Sequence, residues 1–186
     1  MSRYIPHTAE TAPEASREAL AKAKRTYGFV PNMIGVLAAS PATLDGLQAL
    51  SGAFEQGSFS PKERELLLLA VSTVNGCTYC VPAHSAAAKA AGLSDDVIEA
   101  FREGKPIPDA RLAVLHGFAT AVVEKRGRVS EDEVEAFIDA GFTKAQVLEV
   151  VLGASLMTLT NYTNHIANVP LDAAFAPFRW SKREAD

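Results

Sequence analysis

From Leu66 to Val71 the chain is apolar at every position, so helical periodicity assigns this stretch no solvent face. That is the pattern of a helix enclosed in the middle of a domain. Just ahead, Ser60, Pro61 and Glu63 read as a helix start. Serine takes the N-cap, proline suits the first helical position, and the glutamate closes a capping box. Asn75-Gly76 interrupts the run, and an alanine-rich helix follows as far as Gly92. A second enclosed pattern runs from Val147 to Leu159, opened by a capping box of Thr143 with Gln146 and stopped by Pro170.

Other helical segments surround these two. They are Pro13 to Tyr27 with Gly28 as its stop, Pro31 to Ala39, and Pro41 to Gln56 ended by Gly57. Ser94 caps a helix to Arg102, Glu103 to Pro108 is a turn, and Asp109 begins a helix to Lys125. Ser130 with Glu133 opens another, ended by Gly141. Strand patterns are nearly absent, and no repeat or linker divides the chain. The expectation is one all-α domain over residues 1–186, with its core at about 13–178, as a bundle of about seven to nine helices. Five or six amphipathic helices can cover one enclosed helix, but a second is more easily buried against another copy of the chain. A homo-oligomer is therefore expected.

Composition adds boundaries. A chain of 186 residues, 48% of them hydrophobic, buries a full core without covalent staples. Net charge is −4 with no basic stripe, which argues against a nucleic-acid partner. The start, MSRYIPHTAE, has no apolar stretch of signal-peptide type, and no segment reaches ~18 consecutive apolar residues, so no membrane span is expected. Both cysteines fall in one CxxC, which without an export signal fits a reducing cytoplasm and a dithiol that is catalytic or metal-binding.

That motif, Cys77-Thr78-Tyr79-Cys80, sits at the interruption between the two helices, with His84 four residues after Cys80. Positions four apart share a helix face, so the Cys80 sulfur and the His84 imidazole fall within contact range. Pro82 is tolerated only in a first turn, which starts the helix near Thr78 or Tyr79 and puts Cys80 under the positive end of its dipole. Cys80 is accordingly expected to be the more acidic thiol. Glu65 joins by counting. If the chain doubles back at Asn75-Gly76, Glu65 and His84 lie roughly 16 and 12 Å from the turn, within one helical turn of each other. A carboxylate there fixes one imidazole tautomer and makes it a better base.

Other readings stand beside these. A disulfide in so short a loop stabilises little, and a zinc site needs two more ligands, for which His84 with His116 or His165 is conceivable. Glu65 also belongs to the charged triplet Glu63-Arg64-Glu65, where pairing with Arg64 is the plainer outcome. Thr158, Asn161, His165 and Asn168 share a stripe at helical spacing, which makes Asn161 and His165 a candidate substrate-pocket wall, a subunit contact, or a solvated helix end.

Glu65, eleven intervening residues, then Cys77-x-x-Cys80-x-x-x-His84 resembles the signature of the alkyl hydroperoxidase D family, within the carboxymuconolactone decarboxylase-like superfamily. Phe29-Val30-Pro31-Asn32 and Asn161-Tyr162-Thr163-Asn164-His165-Ile166 are similar to its peroxidase-related branch, so the likeness extends roughly from Tyr27 to Phe178. It implies a helical bundle with the CxxC opening a central helix, assembled as trimers or dimers of trimers. It further implies a thiol-dependent hydroperoxide reductase needing no cofactor beyond its dithiol. Cys80 would attack, Cys77 resolve, and His84 and Glu65 handle protons. A small hydroperoxide and a thioredoxin-like or lipoyl dithiol reductant would be the partners. The best-known members carry histidine where this chain has Tyr79, a proton-relay position. A redox switch, a disulfide oxidoreductase and a decarboxylase-like lyase are the competing functions. Thiolate supply alone cannot explain turnover: a thiol of pKa ~8.5 is already a few per cent ionised at pH 7, so full ionisation adds at most roughly thirtyfold, about 2 kcal/mol.

Overall fold

In the computed structural model, which describes residues 4–182, the apolar run forms the middle of α4 (Pro61–Val74), and Leu66 through Ser72 are all buried. What encloses it comes from both directions along the chain. Before it lie α1 (Glu14–Tyr27), α2 (Asn32–Leu37) and α3 (Pro41–Glu55). After it come α5 (Cys80–Ala90), α6 (Asp95–Glu103), α7 (Ala110–Glu124), α8 (Glu131–Asp139) and α9 (Lys144–Ala167), then a 3-10 turn over Ala173–Phe178. Among the described residues there is no strand. Helices α5, α6, α7 and α9 all pack directly on α4.

The starts follow the capping pattern. Ser60, Ser130 and Thr143 each accept the backbone N–H three residues on, and the Glu63, Glu133 and Gln146 side chains return the bond. Each such cap contributes about 1 kcal/mol. Ser94 holds the N-cap position of α6 without a side-chain bond to the helix backbone. Phe137 stacks between Phe118 and Phe142, at centroid distances of 4.3 and 4.1 Å, under α7 and α8. Where α9 crosses α4, Gly153 makes the approach possible, since a Cβ there would lie 2.5 Å from Leu67 Cδ2 and 3.0 Å from the Phe54 ring.

The expectation that α9 also lacks a solvent face is corrected. Its inner side, from Val150 and Gly153 through Met157 to Asn164, is buried. The opposite side leaves Leu148 71%, Val151 47%, Tyr162 55% and Ile166 75% exposed. No single helix among the described residues is long and apolar enough to cross a membrane.

A second, smaller cluster lies beside the main core. Leu20, Met33, Val36, Leu37 and Leu44 pack there with Cys77, Tyr79, Cys80, Ala167 and Val169. Beyond α9, Asn168 adopts φ 47° and the chain folds back across this cluster. Its end is fixed to α6, where Arg102 donates to the Phe178 and Arg179 carbonyls and Trp180 donates to the Arg102 carbonyl.

Candidate active site

The reversal at Asn75-Gly76 is what assembles the site. Gly76, at φ 69°, sits just past the end of α4; its N–H bonds the Thr73 carbonyl at 3.1 Å, and Cys77 N–H bonds that of Ser72 at 3.0 Å. This paired closure needs a left-handed residue, which glycine adopts without strain. It turns α5 back along α4, and His84 Nδ1 meets Glu65 Oε2 at 3.0 Å. A carboxylate only accepts, so Nδ1 carries the proton and Nε2 is left free. Glu65 does not pair with Arg64. Arg64 donates to the Phe59 carbonyl at 2.8 Å, and Arg111 holds Glu63 at 2.9 Å.

Both cysteines are unpaired and buried, Cys77 at 0% and Cys80 at 3% exposure. The Cys77 sulfur accepts the Cys80 N–H at 3.1 Å, as a side chain at a helix N-cap does. Together with the Cys80 S–H, which has the larger effect, such bonds lower the Cys77 thiol to about 7 against the penalty of burial. Cys80 goes the other way: burial, and then the neighbouring Cys77 sulfur, push its thiol up. The expected order of acidity is therefore reversed. Cys80 does occupy the first turn, but desolvation outweighs the dipole there. His84 makes no hydrogen bond to either sulfur among the described residues.

Access divides the pair differently. A cavity of about 620 Å³ opens between α1, α3, α4 and α5, and Cys80, Glu65 and His84 share its wall; Cys77 does not reach it. Leu44, Leu47, Leu68 and Met157 supply aliphatic lining.

Tyr79 also lines the cavity, but its hydroxyl is engaged elsewhere. It donates to Asp172 Oδ2 at 2.5 Å and accepts from Met33 N–H at 3.3 Å. Burial, then Asp172, push its acidity well below that of a free phenol. Held by Asp172 and by Met33 N–H, Tyr79 braces the CxxC turn. Asp172 also accepts the Asn32 N–H at 3.1 Å, while the Asn32 side chain donates to the Pro170 carbonyl at 3.0 Å. Sequence reading missed Asp172, although the upstream Pro31-Asn32 signature was one half of the clamp it closes.

Asn161 is fully buried behind the cysteines, accepting from Asn75 at 2.9 Å, and is not part of the cavity wall. His165 is exposed, stacked on Tyr162 at 6.2 Å, and lies outside the cavity. Both pocket assignments are corrected. The buried face of α9 extends from Asn161 toward Met157 and Asn164, so His165 falls beyond its edge. No three His, Cys, Asp or Glu side chains among the described residues cluster as metal ligands would.

Residues 41–121 match the carboxymuconolactone decarboxylase family. The fold superposes on an alkylhydroperoxidase AhpD core, an uncharacterized peroxidase-related protein from Ralstonia eutropha JMP134, with TM-score 0.85 and 25% identity over 94% of each chain. An uncharacterized peroxidase-related protein from Silicibacter sp. TM1040 gives TM-score 0.77 at 23% identity, over 88% of this chain and 87% of that one. The debrominase Bmp8, solved in complex with 2,3,4-tribromopyrrole, gives 0.77 at 15% identity over 95% of each chain; these last two share the fold. No curated protein sequence matches.

Proposed function

We propose, from the match of residues 41–121 to the carboxymuconolactone decarboxylase family and the likeness to an AhpD core, that the chain is an AhpD-like, thiol-dependent reductase of organic hydroperoxides. The supporting observation is the division of labour between the sulfurs: Cys80 borders the cavity beside the His84–Glu65 pair, while Cys77 lies behind it as the more acidic thiol.

In this reading Cys77 rests as the thiolate and accepts the Cys80 S–H. When a hydroperoxide enters, that proton passes to Cys77, and the Cys80 thiolate attacks the terminal oxygen. An S–O bond forms, the O–O bond breaks, and the leaving alkoxide takes a proton from Nε2 of His84 in its imidazolium form, leaving the neutral tautomer that Glu65 holds at Nδ1. Cys80 is then a sulfenic acid. Cys77 attacks it, the S–S bond forms, and hydroxide leaves with the Cys77 proton as water. A dithiol reductant, thioredoxin-like or lipoyl-bearing, exchanges with the disulfide, becoming oxidised as Cys77 and Cys80 are reduced.

Peroxide consumption with excess dithiothreitol tests this. Many turnovers are expected with cumene hydroperoxide and none in Cys80→Ser, whereas reduced Cys77→Ser freed of dithiothreitol should consume one equivalent and hold a sulfenic acid on Cys80. A single turnover in the unmodified chain means a redox switch, and no peroxide reactivity at all returns the site to lyase chemistry.

Assembly is part of the proposal. The open face of α9 carries Leu148, Val151, Ser155, Leu159, Tyr162 and Ile166 at spacings of three or four. This is the seam along which one helix packs on another, and a second copy of the chain is the occupant it suits. Light scattering of Ile166→Lys with Leu148→Glu should show a smaller particle than the parent; an unchanged mass removes α9 from the interface.

A further inference from the structure

Five aromatic residues line the cavity, and three of them, Phe29, Tyr79 and Phe175, form one wall through ring contacts. Phe175 is their hub, with its centroid 5.9 Å from Phe29 at 60° and 6.0 Å from Tyr79 at 89°. They come from separate stretches: the segment before α2, the CxxC turn and the 3-10 turn. Asp172 ties all three together. Its carboxylate receives the Tyr79 hydroxyl and the Asn32 N–H, and its own carbonyl receives the Phe175 N–H at 3.0 Å. Only 9% of Asp172 is exposed, and it forms no ion pair among the described residues. The thiol chemistry makes no use of this carboxylate. What it does is hold a wall.

In that wall three rings pack on one another through Phe175. Phe29 and Phe175 are only partly buried, so ring surface is left for a ligand. A cavity of about 620 Å³ accommodates an organic group of drug-like size, far beyond the needs of hydrogen peroxide. Rings already packed near perpendicular present faces and edges of opposite charge. A flat aromatic guest gains from both, whereas a saturated ring gains only apolar contact.

We propose that the Asp172-anchored wall of Phe29, Tyr79 and Phe175 is a binding site for a planar aromatic group, making aryl-substituted organic hydroperoxides the preferred substrates. This rests on the peroxidase reading above, with Asp172 as a positioning residue.

The test needs no turnover. In reduced Cys80→Ser protein, cumyl alcohol and its cyclohexyl counterpart are titrated by calorimetry or NMR shift. Cumyl alcohol should bind roughly three- to tenfold more tightly. Phe175→Leu in the same background should erase that ratio, and Asp172→Asn should reduce it. If Phe175→Leu does not fold, Phe29→Leu asks the same question. Equal or tighter binding of the cyclohexyl compound by the chain with all three rings, or binding of neither, overturns the proposal. Because no peroxide is consumed, either result is separate from the fate of the peroxidase reading, which thiol turnover decides.

Discussion

The two buried clusters are built on different logic. The large one surrounds α4 and is made of long helices whose apolar positions repeat along the chain, from Leu66–Val71 to Phe101, Leu115 and Phe137. The small one holds the cysteines and is made of ends: the end of α9, the short α2, a turn and the returning tail. Area burial stabilises the first. The second is fixed by individual hydrogen bonds, Asp172 to Tyr79 and to Asn32 above all, which join residues 93 and 140 positions apart. Stability and chemistry are thus separable, and the separation can be tested.

Leu67→Ala should have the largest effect on stability. Leu67 is wholly buried at the crossing of α4 and α9, so its truncation should cost about 3–5 kcal/mol by urea unfolding. Thiolate absorbance against pH should nonetheless keep its midpoint in the folded protein. Asp172→Ala should cost less, about 1–3 kcal/mol, by leaving the Tyr79 hydroxyl and the Asn32 N–H without their acceptor. It should still move that midpoint, because Tyr79 lies between the cysteines and its release loosens the turn. Equal shifts in both variants would mean the clusters are one unit.

The same contrast explains what the sequence made legible. Helices announced by periodicity and capping boxes formed where expected, and the Glu65–His84 contact followed from counting residues on either side of Gly76. The Asp172 clamp left no local pattern, because it joins a tail to a turn through a single carboxylate. The order of thiol acidity was also hidden. It depends on which sulfur receives the Cys80 N–H, and on burial outweighing the dipole at Cys80. His165 was misplaced for a related reason: a polar stripe gives the period of a helix but not which neighbour occupies its inner face.

Replacing Cys80 by alanine removes the S–H that contributes most to Cys77 acidity, so the Cys77 titration should rise clearly above about 7. Cys80→Ser should raise it less, since a hydroxyl still donates. In both variants a thiolate must remain titratable. If neither shows one below ~8.5, the acidic sulfur in the parent protein is Cys80 after all.

The smallest predicted effect concerns His84. Its charge acts on the Cys77 sulfur from a distance, without a hydrogen bond, and ranks below the bonds from Cys80 and Tyr79 among the influences that lower that thiol. A protonated imidazole favours the thiolate, so His84→Ala should raise the midpoint. The rise should be smaller than in Cys80→Ala, and alkylation near neutrality should slow only modestly. Glu65→Gln acts only through the placement of the imidazole that it holds, so Cys77 should move in the same direction and by less. Alkylation rate should still climb with pH and level off above the midpoint in each variant, because the Cys80 N–H remains in place. A shift in His84→Ala as large as that in Cys80→Ala would mean that the imidazole, rather than the neighbouring thiol and the cap, sets the acidity of Cys77.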